Sequence, residues 1–333
     1  MTRLGQRIAV WAAALIWLAT PAFAVCEINA LGLTVTPSTA STGTYTLPTA
    51  PPAQAVTFTI SGTYLSLLGG QCTVGIAFQR ASLPATMAIS GGGSATLPYT
   101  ITTAASGGTS LLYTSGIPSS SFLLKSSFNA PLLGVAVPFS TTVTAYFQMQ
   151  PGSPQQGGTY SDPTVSLNAF NVTILNIVTL ADTTAFTVTG TVTKTCTIGG
   201  TSTPSADSVT IPVSPAGVVD TSSIVRNYTN TQCNAPANVQ LTSQNGGVRA
   251  VTSASGFANV INYSATGVFS GAVAPIDTST NPGSTGPESG PVVPTIGNTP
   301  SGTLTATITP QSPSLPLVTG TYNDTLSITI TPQ

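Results

Sequence analysis

The chain is predicted to fold as two all-β sandwich domains in tandem, the second lacking its final strand. Three observations predict this. After residue 24 the segments are short, rich in Val, Ile and Thr, and punctuated by Gly, Pro, Ser and Asn, with no amphipathic helix among them. The cysteines fall as one pair in each half, Cys26 with Cys72 and Cys196 with Cys233. A Gly-Thr-Tyr-x-Asp element occurs twice, at Gly158, Tyr160 and Asp162 and again at Gly320, Tyr322 and Asp324. The first copy runs on into a further apolar stretch, and the second stands close to the last residue, Gln333.

Residues 1–24 have the pattern of a signal peptide. Arg3 and Arg7 precede an apolar run from Ile8 to Ala19, and Ala22, Phe23 and Ala24 form a small-x-small cleavage site. The alternative, an uncleaved anchor, needs roughly 18 or more apolar residues, and no later stretch reaches that length either. A mature chain beginning near Val25 is expected to be exported, with no membrane span. It would carry 5 basic and 8 acidic side chains once Arg3 and Arg7 are removed from the totals of 7 and 8. So few charges exclude a basic surface for nucleic acid. The 41% hydrophobic content argues for packed cores rather than disorder.

Four cysteines allow three connectivities. Pairing within each half, Cys26–Cys72 and Cys196–Cys233, keeps each disulfide inside one domain, where it stabilises by roughly 4 kcal/mol in the chain-entropy model. Zinc ligation is the competing use, but there is no Cys-x-x-Cys spacing and no histidine.

The first domain is expected over 25–180. Short extended pieces at 34–37 and 44–47 lead to the alternating Val56, Phe58 and Ile60, then to strands over 72–78, 95–102 and 143–149. The first Gly-Thr-Tyr-x-Asp element opens a strand through Val165 and Leu167. The run 170–178 is expected to return as the closing strand, and 180–184 to be a linker. The second domain is expected over 181–333. Phe186, Val188 and Val192 share one face of its first strand, and strands are expected at 208–213 and 237–243. Residues 275–300, rich in Gly, Pro, Ser and Thr, are expected to be a long mobile loop. At the end Leu326, Ile328 and Ile330 alternate with Thr325, Ser327, Thr329 and Thr331, a strand with one buried face.

No catalytic constellation emerges. Without histidine, Ser-His-Asp and Cys-His arrangements are impossible, and every cysteine has a disulfide partner. A retaining glycosidase needs two carboxyls about 5 Å apart, whereas Asp162 and Asp324 fall one to a domain. Each reads as a turn-forming aspartate binding nearby backbone N–H groups. The expectation is a protein that is not an enzyme and uses no cofactor or metal. Apolar residues set among serines and glycines do stand out: Leu65, Leu67 and Leu68, and Phe122, Leu123, Leu124 and Phe128. Loops are normally polar, so these are candidates for a contact surface. The competing reading is that they fold back over an open sandwich end, or that residues 132–139 form a buried strand.

The second Gly-Thr-Tyr-x-Asp element continues as Thr325, Leu326, Ile328, Ile330 and Pro332. This ending, the early cysteine after a signal peptide, the Ig-like all-β pattern and the echoes at Asn262-Tyr263 and Leu97-Pro98-Tyr99 resemble the spore-coat-protein-U-like domains of archaic (Csu-type) chaperone–usher pili. Two such domains in one chain resemble a pilus tip adhesin. The resemblance implies pilin-type domains and donor-strand complementation, in which a strand from a periplasmic chaperone, then from the adjacent pilin, fills the open groove. Leu326, Ile328, Ile330, Phe186 and Val188 are expected to line that groove. With Cys26 second in the mature chain, the subunit is expected to accept a strand and donate none, which puts it at the distal end of the fibre. The other implied partners are an outer-membrane usher and a target surface, abiotic or host, met during attachment and biofilm formation. A secreted coat or shaft subunit without adhesive role is the alternative. A carbohydrate-binding protein is a further one, disfavoured because both tryptophans, Trp11 and Trp17, lie in the signal peptide.

Overall fold

The structure is a computed structural model that describes residues 26–46, 50–66, 70–91, 93–130, 136–150, 156–173, 175–201, 206–280 and 286–333, with backbone alone at 26–32 and 65–66. The expected signal peptide, 1–24, lies outside these residues. The described chain is β throughout, with one 3-10 turn at Ser120–Phe122. No described helix is long and apolar enough to cross a membrane.

Two compact units divide the chain, one including Thr159–Thr191 and the other Val192–Gln333. The first contains β1 (Cys26–Thr36), β2 (Thr39–Tyr45), β3 (Gln54–Ser66), β4 (Gly70–Gln79), β5 (Thr86–Ile89), β6 (Thr96–Thr102), β7 (Leu112–Tyr113), β8 (Leu124–Ala130), β9 (Ala136–Met149), β10 (Gly158–Val172) and β11 (Val178–Val192). Hydrogen bonding runs in the order β1-β3-β9-β6-β5-β10-β11-β2, and β4 joins β10 to β7 and β8. Alternation of β-branched and polar residues points every second side chain of β3, β6 and β9 inward. Phe58, Phe78, Phe147 and Phe186 meet at the centre, with ring centroids 5.2–6.2 Å apart.

Several expectations change here. The closing strand of the first unit is β11, not the run 170–178. The Thr173 backbone is hydrogen-bonded to those of Asn176 and Ile177, and Asn176 sits at φ 58°. A short polar side chain tolerates that left-handed conformation, so Asn176 reverses the chain inside what reads as one apolar strand. Residues 180–184 are part of β11 rather than a linker. Phe186 and Val188, expected in the acceptor groove of the second domain, are fully buried in the first unit's aromatic centre.

The second unit contains β12 (Cys196–Thr197), β13 (Ile224–Cys233), β14 (Ala237–Ser243), β15 (Val248–Ala250), β16 (Val260–Ile261), β17 (Tyr263–Phe269), β18 (Ala272–Asp277), β19 (Glu288–Ser289), β20 (Val293–Pro294), β21 (Ser301–Pro310), β22 (Tyr322–Asn323) and β23 (Leu326–Pro332). One sheet runs β12-β13-β21-β17-β18, and the facing sheet has β14 flanked by β23 on one edge and by β19 and β20 on the other. Val239, Leu241, Tyr263, Phe269 and Leu304 fill the space between them. The described part of 275–300 is tied down rather than loose. Glu288 and Ser289 pair with Ser243 and Thr242, Val293 and Pro294 with Val239 and Asn238, and the Thr295 hydroxyl bonds the Ala237 backbone. Short ladders of this kind satisfy backbone groups that a Gly- and Pro-rich composition does not reveal.

Cys196 and Cys233 face each other across β12 and β13 and form a disulfide. Cys72 is buried and disulfide-bonded. The side chain of its expected partner, Cys26, lies outside the described residues.

Candidate functional site

β23 pairs antiparallel with β14 along its whole length, from Leu326 opposite Ser243 to Pro332 opposite Ala237. Its other edge has no ladder partner among the described residues. The corresponding strand of the first unit, β10, lies between β4 and β11 and so has both edges paired. Side-chain burial follows the same contrast. Val165, Leu167 and Ala169 on β10 are each 1% exposed, while Leu326, Ile328 and Ile330 on β23 are only half-buried. On the facing sheet Tyr228 and Ile308 are half-buried too, whereas Phe58 and Ile60 on β3 are fully enclosed. With Ile198 these residues are the partly buried apolar margin of the second unit's core, and the β23 edge has no ladder partner among the described residues. A row of free N–H and C=O groups next to apolar side chains is the chemistry that captures another strand.

An aspartate fixes where β23 begins. Asp324 Oδ2 accepts hydrogen bonds from the Tyr263 hydroxyl and the Ser243 hydroxyl, both at 2.6 Å, and Oδ1 accepts from the Asn245 and Thr325 backbone N–H groups at 2.9 and 2.8 Å. Burial, then the bond to Asp324, pushes the Tyr263 hydroxyl far above its ordinary range, so it stays a donor. The first unit repeats the device at the start of β10. Asp162 is 2% exposed; it accepts from Arg80 Nε at 2.6 Å, the Tyr99 hydroxyl at 2.9 Å, and the Thr164 hydroxyl and backbone N–H at 2.6 and 3.1 Å. Burial alone would raise its pKa, but these donors outweigh burial and hold the carboxyl below its ordinary value. Both aspartates thus bind nearby backbone N–H groups, as the sequence indicates. The tyrosine and Arg80 partners come from strands far along the chain and have no local signal.

The seven apolar contact candidates separate. Phe122 stands at the end of the 3-10 turn and is 45% exposed. Leu123 is 4% exposed, packed with Ala77, Phe170 and Val172 and against Tyr113 and Val178, so it is core and not contact surface. The 3-10 turn rotates neighbouring residues to different sides, sending one outward and the next inward. Leu124 is half-buried on β8, opposite Ile76. Phe128, also on β8, stacks on Phe139 at 4.6 Å and meets Tyr64 at 5.3 Å, forming a small aromatic cluster. The side chains of Leu65, Leu67 and Leu68 lie outside the described residues. Sequence reasoning missed Leu175 and Ile177, which are 63% and 55% exposed in the β10–β11 turn. Val172 and Val178, on either side of them in the chain, belong to or pack against the buried cluster that contains Leu123, the residue after Phe122. The available signal was Asn176, a turn residue inside an apolar run.

Among the described residues no three metal-ligating side chains converge.

No family model matches the chain, and no curated relative matches it. Among solved structures, the chain is similar to the CsuC–CsuE chaperone–tip adhesion subunit pre-assembly complex from archaic chaperone–usher Csu pili of Acinetobacter baumannii, at TM-score 0.34 and 14% identity, covering 92% of this chain and 100% of that one. It is also similar to a chaperone–tip adhesin complex of CFA/I fimbriae, at TM-score 0.31 and 10% identity, covering 90% and 97%.

Proposed function

We propose that this chain is the tip subunit of a chaperone–usher-type pilus. Its second unit accepts a strand from a partner, and its first unit makes the adhesive contact. The supporting observation is the contrast between β10 and β23: the same kind of strand is sealed in the first unit by β11 and open in the second beside half-buried Leu326, Ile328 and Ile330. A first unit that supplies its own closing strand takes none from a neighbour, as suits the end of a fibre.

In this reading a periplasmic chaperone covers the groove during export, an outer-membrane usher passes the subunit outward, and the adjacent pilin then donates its own strand. The mature protein acts at the cell surface, without chemistry of its own. Phe122, Leu175 and Ile177 form the apolar contact with the target surface in place of Leu123, which the fold buries, while Phe128 is half-buried in its stack with Phe139.

Two experiments test the reading. The chain without residues 1–24 is expected to aggregate when produced alone and to be soluble when a chaperone or a donor-strand peptide is supplied. A stable monomer without either contradicts an open second unit. Replacing Phe122, Leu175 and Ile177 together by Ser is expected to abolish surface attachment while pili still assemble. Unchanged attachment assigns adhesion elsewhere.

A further inference from the structure

The second unit contains a crevice that plays no part in holding β23. It lies between β16 and the segment after β21, is lined by Ala258, Val260, Asn262, Ser312, Pro313 and Ser314, and has a volume of about 150 Å³. A proline opens it. β17 and β21 pair in a register that sets Tyr263 opposite Pro310, and one step on Gln311 N–H donates to the Asn262 carbonyl at 2.8 Å. Two further steps in that register put Val260 opposite Pro313, which has no N–H to donate. The ladder stops there and residues 312–315 bow away. Contact resumes at Pro316, whose carbonyl accepts from Ala258 N–H at 2.8 Å.

The other edge of β16 shows where the Val260 backbone points. Ala250 N–H donates to the Asn259 carbonyl, Arg249 stands opposite Val260, and Val248 opposite Ile261. Hydrogen-bonded and non-bonded pairs alternate along an antiparallel ladder, so the N–H and C=O of Val260 point away from β15 and toward the bow. Side-chain groups are unspent there too. Among the described residues the Asn262 amide and the Ser312 and Ser314 hydroxyls make no hydrogen bond. Gln311 differs, because its Nε2 donates to Asp277 Oδ1 at 3.2 Å. The fold plan does not call for an amide at 262. The first unit has Pro98 at that place, just before the tyrosine that bonds its aspartate.

We propose that this crevice binds an uncharged sugar residue. A sugar hydroxyl donates and accepts at once, which matches a backbone N–H and C=O, an amide and two hydroxyls set around one small space. No lining residue is charged, so a neutral ligand leaves no charge unpaired. A cavity of about this volume admits a six-membered ring. Ala258, Val260 and Pro313 offer carbon atoms to the C–H groups of such a ring. Phe257 and Leu315, next in the chain to Ala258 and Ser314, are 50% and 48% exposed and extend that apolar part. A peptide strand fits less well. Only one residue of the β16 edge is open, closed off by Gln311 on one side and Pro316 on the other, and one residue makes no ladder. The inference stands apart from the acceptor reading of β23.

The test is saturation-transfer NMR on the chain without residues 1–24, co-produced with a periplasmic chaperone. Glucose, galactose, mannose and N-acetylglucosamine are offered singly at ~10 mM, enough to fill a site of millimolar affinity. At least one of them is expected to receive saturation. Ser314→Trp, which fills the crevice, and Asn262→Ala are each expected to weaken that binding by ~10-fold or more. Ser314 is exposed and its substitution spares the core, so it decides the matter if Asn262→Ala melts early. Saturation reaching none of the four sugars overturns the inference. A sugar signal that survives Ser314→Trp also overturns it, because the sugar then binds elsewhere. Transfer to the neutral tripeptide Gly-Ser-Gly and to no sugar overturns the assignment of ligand class.

Discussion

Asp162 keeps its charge inside the first unit because Thr164, Arg80 and Tyr99 all direct donors at it. Replacing it with Asn leaves the Arg80 guanidinium, itself mostly buried, without its carboxylate. Breaking a buried pair in this way is expected to cost about 3–5 kcal/mol, measured by denaturant unfolding. The folded carboxyl lies below the ordinary aspartate value, so the unfolded state binds its proton first as pH falls. The stabilisation is therefore complete above about pH 5 and is lost as pH drops through the folded value. Unfolding measured across this range should show that slope in the wild-type chain and lose it in Asp162→Asn. Tyr99 adds an opposite limit. Burial first, then Asp162, raises its hydroxyl pKa, so its contribution falls away when pH rises past the ordinary tyrosine value. Neighbouring residues can differ as much as distant ones. Leu123→Ser is expected to cost about 2–5 kcal/mol by emptying a packed site, while Phe122→Ser stays within about 0.5 kcal/mol; thermal melts of the two variants check this.

Among the elements, β11 carries the most consequence. It inserts Phe186 and Val188 into the aromatic centre, and Gly190 allows it to pass close to β2 and β9. A Cβ at Gly190 would stand 2.5 Å from the Thr42 hydroxyl and 2.7 Å from Met149 Cε. Gly190→Ala is therefore expected to destabilise the first unit by about 1–3 kcal/mol, as overpacking does, measured by denaturant unfolding. This strand was also the hardest to read from sequence. Its residues alternate well enough to be recognised as a strand, but alternation does not say to which unit a strand belongs. Phe186 and Val188 precede Cys196, and so they read as the start of the second half. Only the Asn176 turn, hidden in the apolar run from Phe170 to Val178, sends them back to close the first. The terminal strand was legible because Leu326, Ile328 and Ile330 alternate cleanly and Asp324 marks its start. What lies beside a strand is a matter of tertiary pairing, which a period of two cannot encode. The same limit explains Leu123 and Phe128, whose neighbours Phe170 and Phe139 are brought to them by separate strands.

At the scale of the whole molecule, one fold plan appears twice with one strand filled differently. The first unit has a sealed core and exposes Phe122, Leu175 and Ile177. The second has an edge at β23 with no ladder partner among the described residues and with its inward residues half-buried. An occupant like β11, burying three apolar side chains at about 1.5–3 kcal/mol each, would contribute roughly 5–9 kcal/mol. A gain of that size is comparable to the whole stability of a small domain, so an empty groove should leave the second unit prone to aggregate. The most direct test is calorimetry with size-exclusion chromatography on the chain without residues 1–24, with and without a copy of residues 184–192 attached after Gln333. The prediction is aggregation without the added strand, and with it a monomer whose second-unit transition is raised by at least about 10 °C. A chain that is already monomeric, and whose transition the added strand does not move, would contradict the claim that β23 awaits a partner.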